Sequence, residues 1–504
     1  MTSRLVRLAA VVVAVLLGLW GVATLSWPFG WDQGIFAWGG DVVARGGLPY
    51  RDAWDTKGPL VFVWHALIHL VFGRTMWGMR LVDLAVAGIA AFAVLRIAAG
   101  LTTRTVGIWS AAGFALAWAS LGYWNTAQPD GIASAVVAVV AWRVVVPGGA
   151  WSSRAALVTG CLIGACALIK PFYGAFLILP VAAAFGSGTP GTSRRGALFS
   201  TVAGSVVPFL LVAGWFGAHG AIGSLIDGYL VYPLTVYRGG AGAGLGRLLE
   251  FGRYHPMVAG AVPAVAGGLL GLWRRDRYRA VLVAAWLVIA FGCVVIQGRY
   301  FRYHWLPLFP PMAVAAGIGF HSAAGLPRRS VRFAAGTLLM LLFLAGSLRP
   351  TRAIWTWGAM VIGRVSQRDY WAGFRFDAPY VAGEDIQAAE WIRAHSSEGD
   401  RIAIWGWNAG IAYLSGRSVA GRFGFSAPLL LKPNHPVTRS FRAEFIGTLR
   451  DERPLYLVIS DYGGPGVRSA DRVGLYPELA DFIAAHYQPA QRIGLLQILR
   501  RTRD

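Results

Sequence analysis

The chain has 504 residues, of which 56% are hydrophobic and only 14% are charged. Soluble globular proteins have about a quarter charged residues, so this composition excludes a wholly soluble protein and predicts a polytopic membrane protein with a soluble appendage. The net charge of +22 comes largely from arginines in short loops between apolar runs, and no nucleic-acid-binding motif accompanies it. That pattern is typical of membrane topology, and we expect no nucleic-acid partner.

Eleven apolar segments predict a polytopic α-helical protein with about 11 transmembrane helices. The first follows two arginines near the N-terminus and has an apolar run of about 20 residues, long enough to span a bilayer. The others lie at residues 79–99, 105–123, 130–147, 155–170, 171–187, 197–217, 256–273, 280–297, 306–321 and 332–348. A shorter apolar stretch at residues 59–73 predicts an interfacial or re-entrant helix.

Arginines concentrate in alternate connections, which predicts the side of the membrane on which each connection lies. The positive-inside rule places the N-terminus and basic connections such as residues 274–279 in the cytoplasm. The first loop, residues 28–78, and the residues after about 350 then lie outside. We therefore expect a multi-pass plasma-membrane protein with a transmembrane domain at residues 1–350 and an extracytoplasmic domain at residues 351–504.

The C-terminal part has the composition of a small soluble α/β domain. Residues 383–400 have helical periodicity, and the segments RIAIWGW, PLYLVIS and RIGLLQILRRT each predict a strand. Because no glycine-rich phosphate loop is present, a nucleotide-binding role has no support.

Acidic residues are concentrated in the first outer loop. Only nine of the 24 acidic residues precede Asp369, and four of those nine lie in this loop with one of the chain's three lysines. These five residues are Asp32, Asp41, Asp52, Asp55 and Lys57. An ionisable cluster at the mouth of a hydrophobic bundle is costly to keep, so we predict that this loop holds the reacting centre.

The start of the loop predicts a helix over residues 32–45, with Asp32 near its N-cap and Gly46-Gly47 ending it. Asp41 points half a turn away from Asp32 and lies about 13 Å along the axis, so the two carboxylates cannot share a site. We expect Asp41 to pair with Arg45 at i+4. Simpler interpretations make Asp32 a helix cap and Asp55 with Lys57 an ordinary loop ion pair.

Two motifs in this loop resemble the first outer loop of the GT-C glycosyltransferases, especially the protein O-mannosyltransferase and aminoarabinose transferase branch. They are W-D-Q-G-x-F-x-x-x-G-D from Trp31 and G-G-L-P-Y-R-D-A-W-D-x-K-G-P from Gly46. The later segments LIKPFYGAFLILP and GRYFRYHWLPLFPPMA resemble a lysine-proline helix break and a late outer loop of that family. The similarity covers residues 1–350 and is specific mainly in the first loop.

The resemblance implies an inverting glycosyltransferase that uses a polyprenyl-phosphate sugar. By the same resemblance, Asp32 is the catalytic base and Lys57 contacts the lipid phosphate. The sequence departs from the family pattern at Gly58, often proline, and at Thr56, where some members have an acid used for a metal or substrate. A divalent metal, Mg²⁺ or Mn²⁺, is therefore expected to be optional.

Elementary chemistry favours the same roles. An acceptor hydroxyl needs a carboxylate at the depth of the donor's anomeric carbon, and the departing phosphate needs fixed positive charge. The candidate phosphate-binding cations are Lys57, Lys170, Arg299 and Arg302. The candidate sugar- or acceptor-binding residues are Asp52, Asp55, Gln128, Asp130, Tyr300, Tyr303 and His304.

Some of these residues have equally plain interpretations. Asp130 suits the N-cap of the next span, and Tyr300, Tyr303 and His304 suit an aromatic-basic belt at the membrane surface. Lys170 interrupts a long apolar sequence, where an unpaired charge is costly, and we expect it to mark a break between two half-length helices.

These observations predict transfer of a sugar to a cell-envelope acceptor on the outer face of a bacterial plasma membrane. A ligase that uses lipid-diphosphate-linked glycans is a rival enzyme. A lipid-linked glycan flippase or transporter is a rival from another class, but it predicts buried acids and arginines, and Asp83 near Arg80 is nearly the only acid inside a span. A non-catalytic scaffold that binds cell-wall polymer is the third alternative.

Overall fold

The structure is a computed structural model that describes residues 3–146, 152–186, 194–237, 246–376, 380–461, 473–474 and 476–502. The helices that precede the C-terminal part are α1 Ser3–Thr24, α2 Trp31–Ala44, α3 Pro59–Phe72, α4 Met76–Leu101, α5 Arg104–Ala119, α6 Pro129–Val145, α7 Ser153–Ala167, α8 Ile178–Gly186, α9 Arg194–Ala218, α10 Ile222–Ile226, α11 Gly246–Tyr254, α12 Pro256–Gly260, α13 Val262–Arg275, α14 Arg277–Gln297, α15 Phe309–Ala324 and α16 Arg329–Val361. Two 3₁₀ segments, Pro171–Leu177 and Arg302–Leu308, run directly into α8 and α15, and two π-helical segments, Asp227–Val231 and Pro233–Tyr237, follow α10.

Each apolar segment expected to span the membrane contains a helix in the structure. Among the described residues, five helices are long and apolar enough to cross a bilayer by length and composition: Arg7–Thr24, Met76–Leu101, Arg194–Ala218, Arg277–Gln297 and Arg329–Val361. The remaining segments are shorter or interrupted, as where α12 ends before α13 begins. The helical class is therefore confirmed, while the number of about 11 transmembrane helices stays a prediction.

The last of these helices is much longer than its predicted span. Helix α16 has 33 residues and is therefore about 50 Å long, more than the thickness of a bilayer's hydrocarbon core. It continues through Pro350, so the boundary expected after residue 350 falls inside a continuous helix.

Contacts divide the chain into two compact units. Unit 1 contains Met1–Leu25, Arg80–Val212 and Ala241–Gly358, and unit 2 contains Ser26–Met79, Ala213–Gly240 and Ala359–Asp504. The first outer loop therefore belongs to the same unit as the C-terminal part. This division follows spatial contacts rather than the order of the chain. The division into a transmembrane domain at residues 1–350 and an extracytoplasmic domain at residues 351–504 stays a prediction.

In unit 1, a buried arginine fixes the segment that precedes α6. Arg80 is 1% exposed, and its Nη1 donates hydrogen bonds to the Tyr123 carbonyl and the Thr126 hydroxyl, both at 3.0 Å. Asp83, one turn further along α4, is also buried and interacts with Arg80. The acid noted inside a span is thus one half of a structural pair.

The C-terminal part contains a five-stranded mixed sheet, as a small α/β domain requires. The five strands of this sheet are β3 Arg401–Trp405, β4 Ser418–Val419, β5 Tyr456–Ser460, β6 Tyr487–Ile493 and β7 Leu496–Arg501, and two earlier strands, β1 Arg375–Phe376 and β2 Tyr380–Val381, form a separate antiparallel pair. The order in the sheet is β4-β3-β5-β7-β6, with β3 parallel to β4 and β5, and β7 antiparallel to β5 and β6. The helices are α17 Gln367–Ala372, α18 Ala382–Ala394, α19 Gly410–Ser415, α20 Ala427–Leu430, α21 Pro436–Asp451 and α22 Pro477–His486.

The segment RIGLLQILRRT is not the single strand that its composition predicts. It holds the end of β6, a turn, and all of β7. Gly494 makes the turn with φ +51°, a conformation that costs glycine little and other residues more. The apolar run hid this hairpin because the turn contains Leu495, so hydrophobic residues continue from the end of β6 through the turn into β7.

Candidate functional site

The turn after α2 carries the acidic residues of the first loop and is tightly closed. The Tyr50 N–H donates to the Ala53 carbonyl at 2.7 Å, and the Asp52 N–H donates to the Leu48 carbonyl at 2.9 Å. The Tyr50 hydroxyl donates to the Lys57 carbonyl at 2.7 Å, which joins the beginning of the turn to its end. Tyr50 is fully buried and has φ +67°, a strained conformation for a bulky residue.

Asp32 lies at the second position of α2 and is not its N-cap. Gly30 is the N-cap, and the Gln33 Oε1 accepts a hydrogen bond from the Gly30 N–H at 2.6 Å. The interpretation of Asp32 as a helix cap is therefore wrong. Its half-buried carboxylate lies in the first turn, where the positive end of the helix dipole favours a negative charge.

The structure brings Asp32, Asp55 and Lys57 together. The Lys57 Nζ lies 3.6 Å from the Asp55 Oδ1 and 5.4 Å from the centre of the Phe36 ring, one helical turn after Asp32. The pKa of Asp55 is raised overall, mainly by burial and also by the nearby Asp32 charge. The Lys57 charge and the hydrogen bond from the Thr56 N–H act in the opposite direction and only partly offset this increase. Two carboxylates and one ammonium therefore share a partly enclosed site in unit 2.

Contacts from the C-terminal part hold the start of α2 in place. The Trp31 ring packs against Tyr380 and Trp407, with ring centroids 4.9 Å and 5.7 Å away. A Cβ on Gly34 would lie 2.8 Å from the Gly410 backbone nitrogen, so only glycine permits this close approach between α2 and α19.

A buried carboxyl group supports this aromatic cluster. The Asp385 carboxylate accepts hydrogen bonds from the Asn408 amide at 2.6 Å and the Tyr380 hydroxyl at 3.1 Å. Burial raises the pKa of Asp385 to about 7. Because Tyr380 also packs on Trp31, this network orients the residue that precedes Asp32.

Arg422, a residue of the C-terminal part, fixes the acidic turn. Its carbonyl accepts a hydrogen bond from the Trp54 N–H at 2.8 Å, and its Nη1 donates to the Tyr50 carbonyl at 2.9 Å. Its guanidinium also lies 5.1 Å from the centre of the Trp54 ring. Sequence reasoning missed this residue because nothing in the pattern around it marks a contact with a loop more than 360 residues earlier.

Asp41 forms a separate cluster, as its helical spacing predicts. Its carboxylate pairs with Arg45 at 2.7 Å and Arg74 at 3.0 Å, and it lies 3.3 Å from the His69 Nε2. The carboxylate is thus enclosed by positive or polar partners, and the expected i+4 pair with Arg45 is confirmed.

Asp52 closes the turn instead of joining Asp32. Its Oδ2 accepts hydrogen bonds from the Leu48 N–H at 2.7 Å and from Arg51 at 2.8 Å. Burial raises the pKa of Asp52, but these partners outweigh burial and lower it overall. The binding role expected for Asp52 stays a prediction.

In unit 1, Lys170 and Asp130 form a buried ion pair. The Lys170 Nζ lies 2.9 Å and 2.8 Å from the two Asp130 oxygens and 2.7 Å from the Gln297 Oε1. The Tyr173 hydroxyl also donates to Asp130. Asp130 is the second residue of α6, whose N-cap is Gln128, so its interpretation as a cap is wrong. A phosphate at Lys170 would have to share an ammonium that already has these partners.

The other predicted binding residues of unit 1 lie near this pair. The Tyr303 ring centre is 5.8 Å from the Lys170 Nζ, and the rings of Tyr303 and His304 are 4.8 Å apart, with both residues buried. Gln128 is buried and donates to the Trp124 carbonyl at 3.1 Å. Tyr300 is half-buried, with its ring 6.4 Å from that of Trp305.

Positive charge accumulates beside the same 3₁₀ segment. Arg302 lies 4.1 Å from the centre of the Tyr254 ring and is close enough to Arg349 and the buried His255 to interact with both electrostatically. Arg299 is half-buried nearby in sequence. Sequence reasoning missed Arg349 and His255, because in the sequence each only borders a predicted apolar span, at residues 332–348 and 256–273.

Backbone strain marks three of the predicted segments. Among the described residues, five other than glycine have positive φ, and three of them are Tyr50, Ala127 and Tyr300. Tyr50 lies in the acidic turn, Ala127 precedes Gln128, and Tyr300 lies between Arg299 and Arg302. Strain of this kind costs of order 1–3 kcal/mol and clusters at functional sites.

The residues of the acidic turn offer few ligands for a metal. No group of three or more His, Cys, Asp or Glu side chains converges within the part of the chain that the structure describes. Asp32 and Asp55 would supply two carboxylates, and the Lys57 ammonium already lies beside one of them. A divalent ion stays an optional prediction, and the chemistry proposed below uses only protein groups.

No family model and no curated protein matches the sequence. ArnT from Cupriavidus metallidurans, solved bound to undecaprenyl phosphate, has a similar structure with a TM-score of 0.64 and 13% identity over 98% of each chain. The apo oligosaccharyltransferase of Archaeoglobus fulgidus has a TM-score of 0.51 and 12% identity over 89% of this chain and 70% of its own. Both are members of the GT-C superfamily. The chain has a GT-C fold.

The similarity in fold agrees with the resemblance that the first-loop motifs carry. Together with the five helices that are long and apolar enough to cross a bilayer, it supports a membrane protein. At 12–13% identity the likeness establishes the fold alone. The reaction has to be argued from the residues of this chain.

The buried pair of unit 1 gives the first testable prediction. Lys170→Met leaves the Asp130 carboxylate buried without its main partner, so we expect a loss of about 3–5 kcal/mol in stability. The double variant Lys170→Met with Asp130→Leu removes both charges and should recover most of that loss. Thermal unfolding in detergent measures both variants.

Arg492→Met is the control, because Arg492 forms an exposed pair with Asp461 at 2.9 Å and should matter by less than about 1 kcal/mol. Equal losses in the single and double variants would contradict the structural role. Donor affinity of the double variant, compared with that of Asp130→Leu alone, then tests Lys170 as a phosphate ligand, since a purely structural lysine leaves that affinity unchanged.

Proposed function

We propose that this protein is an inverting glycosyltransferase that moves a sugar from a polyprenyl-phosphate donor to a cell-envelope acceptor. The observation that carries the proposal is the position of Asp32, half-buried in the first turn of α2 beside the Asp55–Lys57 pair. One structural neighbour was solved with undecaprenyl phosphate, and another was tethered to an acceptor peptide. These neighbours support the substrate class without naming the sugar or the acceptor.

The proposed reaction is a single displacement. Asp32 accepts the proton of the acceptor hydroxyl while that oxygen attacks the anomeric carbon from the face opposite the lipid phosphate. The new bond to the acceptor oxygen forms as the bond between the anomeric carbon and the phosphate oxygen breaks. The electron pair of the broken bond leaves with the polyprenyl phosphate, and the sugar changes its anomeric configuration.

Lys57 supplies the positive charge that the departing phosphate requires. A fixed ammonium in a partly enclosed site stabilises developing negative charge more than it would in water. Its side chain is 17% exposed, so it is shielded and yet accessible to a ligand. Asp55 keeps the ammonium in position until the donor phosphate arrives, and it contributes to the sugar or acceptor site.

The predicted residues of unit 1 keep their proposed roles. Arg302 lies with Arg349 and His255 in a region of excess positive charge, which suits a phosphate better than the closed pair at Lys170 does. Arg299 is the further proposed cation. Proposed sugar or acceptor contacts come from Gln128, Asp130, Tyr300, Tyr303 and His304 in this unit and from Asp52 in unit 2.

A transporter of lipid-linked glycans is the second candidate, because unit 1 buries two charged pairs. These are Arg80 with Asp83 and Lys170 with Asp130. Transport leaves the donor intact, whereas transfer releases the lipid phosphate. Chromatography of a radiolabelled polyprenyl-phosphate sugar after incubation with the purified protein distinguishes the two.

Asp32→Asn tests the proposed base. The variant keeps the side-chain shape and gives up only a first-turn charge worth about 0.3–1 kcal/mol, so it should fold and insert normally. Loss of general-base catalysis should lower the transfer rate about 10²–10⁴-fold, equivalent to about 3–5 kcal/mol. The rate is measured under saturating donor with purified protein.

Asp41→Asn is the matched control and should keep most of the activity, because Asp41 belongs to the separate cluster with Arg45 and Arg74. A transfer rate for Asp32→Asn within a few-fold of that of the unmodified protein would show that Asp32 is not the general base, and Asp55 or Asp52 would then be the candidates.

Lys57→Ala tests the proposed phosphate contact. Losing a charge-assisted hydrogen bond worth about 1.5–3 kcal/mol should weaken donor binding about tenfold to a hundredfold. Lys432→Ala removes the same charge from an exposed lysine whose Nζ donates to the Thr235 carbonyl, and it should bind donor normally. Similar losses in both variants would indicate a general electrostatic effect and remove Lys57 from the site.

We also propose that the protein lies in a bacterial plasma membrane with its N-terminus in the cytoplasm and its C-terminal part outside. The support is the alternation of arginine-rich connections. Reporter fusions at residues 276 and 480 should give opposite compartment signals. Matching signals from the two positions would overturn this orientation.

A further inference from the structure

A solvent-open groove lies between the first loop and the C-terminal sheet within unit 2. It has a volume of about 510 Å³ and is lined by four arginines, Arg45, Arg51, Arg401 and Arg422. Three acids, Asp52, Glu444 and Glu452, line it as well. We name this cavity the paired-charge groove.

Every guanidinium in the paired-charge groove has a carboxylate partner. Arg422 holds Glu444 with two hydrogen bonds, at 2.7 Å and 2.6 Å, and Arg51 holds Asp52 at 2.8 Å. Arg401 pairs with Glu452, and Arg45 pairs with Asp41 just behind the lining. Four carboxylates face the four arginines of the lining, although Asp41 is shared with Arg74, so the net positive charge is small and attracts a phosphate or another polyanion only weakly.

These pairs contribute little to folding. Three of the four arginines have side chains that are 42–48% exposed, and exposed pairs typically add only about 0–1 kcal/mol of stability. Their concentration around one cavity therefore calls for an explanation other than stability.

Balanced pairs of this kind suit a ligand rich in hydroxyl groups. A hydroxyl can donate to a carboxylate and accept from a guanidinium at the same time, so it can bridge each pair without breaking it. Trp38, Val42 and Val419 add an apolar part to the lining, which matches the C–H faces of a sugar ring.

The groove is connected directly to the acidic turn. Arg422 donates to the Tyr50 carbonyl at 2.9 Å, and its own carbonyl accepts from the Trp54 N–H at 2.8 Å. Asp52 lines the groove and lies three residues before Asp55 on the same turn. A ligand in the groove therefore contacts the segment that positions the Asp55–Lys57 pair.

We propose that the paired-charge groove binds a neutral, hydroxyl-rich oligosaccharide that forms part of the acceptor. The identification of this oligosaccharide as the acceptor rests on the proposed glycosyltransferase function. The binding of a neutral glycan rests only on the structure of the groove. An anionic glycan or a phosphorylated lipid headgroup is disfavoured, because it would have to displace the carboxylates of the groove.

Retention of glycans by the immobilised full-length protein tests the binding. The probes are the neutral and the anionic fractions of oligosaccharides released from the envelope of the organism that encodes the protein. The unmodified protein should retain the neutral fraction. Thr448→Trp fills the groove without changing its charge and should lower retention about tenfold or more, equivalent to about 1.4 kcal/mol.

The double variant Glu444→Gln with Glu452→Gln leaves the arginines without two of their partners and should shift retention toward the anionic fraction. Asp461→Asn, in an exposed pair outside the groove, should retain glycans like the unmodified protein. The proposal is wrong if the unmodified protein retains neither fraction or prefers the anionic one, or if Thr448→Trp retains neutral glycans normally.

Donor turnover separates this proposal from the proposed function. In the absence of acceptor, water can take the place of the acceptor hydroxyl, so that hydrolysis of a labelled donor gives the free sugar and polyprenyl phosphate. This hydrolysis depends on Asp32 and Lys57, so Thr448→Trp should preserve it. Normal donor turnover without glycan retention refutes glycan binding by the groove and leaves the proposed glycosyltransferase function intact. Retention of neutral glycans without any donor turnover refutes the glycosyltransferase and keeps the groove as a glycan-binding site.

Discussion

The burial of the Asp55 carboxylate is the constraint on which the candidate site depends. A carboxylate that is 4% exposed must have a partner that stays in place, because an uncompensated buried charge costs several kcal/mol. Lys57 and the Thr56 N–H supply that partner, and the Tyr50 hydroxyl holds the Lys57 carbonyl. The Asp55–Lys57 ion pair therefore requires a rigid turn. The rigidity of that turn depends on the C-terminal part, which packs on it.

The two buried lysine–carboxylate pairs differ in a way that bears on function. The Lys170 ammonium lies within 2.9 Å of three oxygens, whereas Lys57 lies 3.6 Å from its carboxylate. The closer contacts satisfy Lys170 inside the protein, and the longer one is compatible with the phosphate contact proposed for Lys57. Lysines that look alike in the sequence thus have different capacities for a ligand, and only geometry separates them.

Local pattern was enough to predict the helices, the first-loop cluster and the separation of Asp41 from Asp32, because helical spacing fixes directions within one element. It failed where the answer depends on distant residues. Arg422 binds the Tyr50 carbonyl, Gln297 binds Lys170, and neither contact leaves a trace in local composition. The hairpin at Gly494 was missed for a related reason, since an apolar residue in its turn, Leu495, makes the two strands look like one apolar run.

The position of Arg422 joins the groove to the chemistry. One face of its guanidinium lies over aromatic rings, its edge binds Glu444, and its remaining donor binds the turn that holds Lys57. Because a planar guanidinium directs its donors in fixed directions, a shift of Glu444 changes the geometry at the Tyr50 carbonyl as well. A ligand hydroxyl that bridges Arg422 and Glu444 would therefore contact the same side chain that holds the Tyr50 carbonyl. The groove proposed for the acceptor and the turn that carries the proposed reacting groups thus share one arginine.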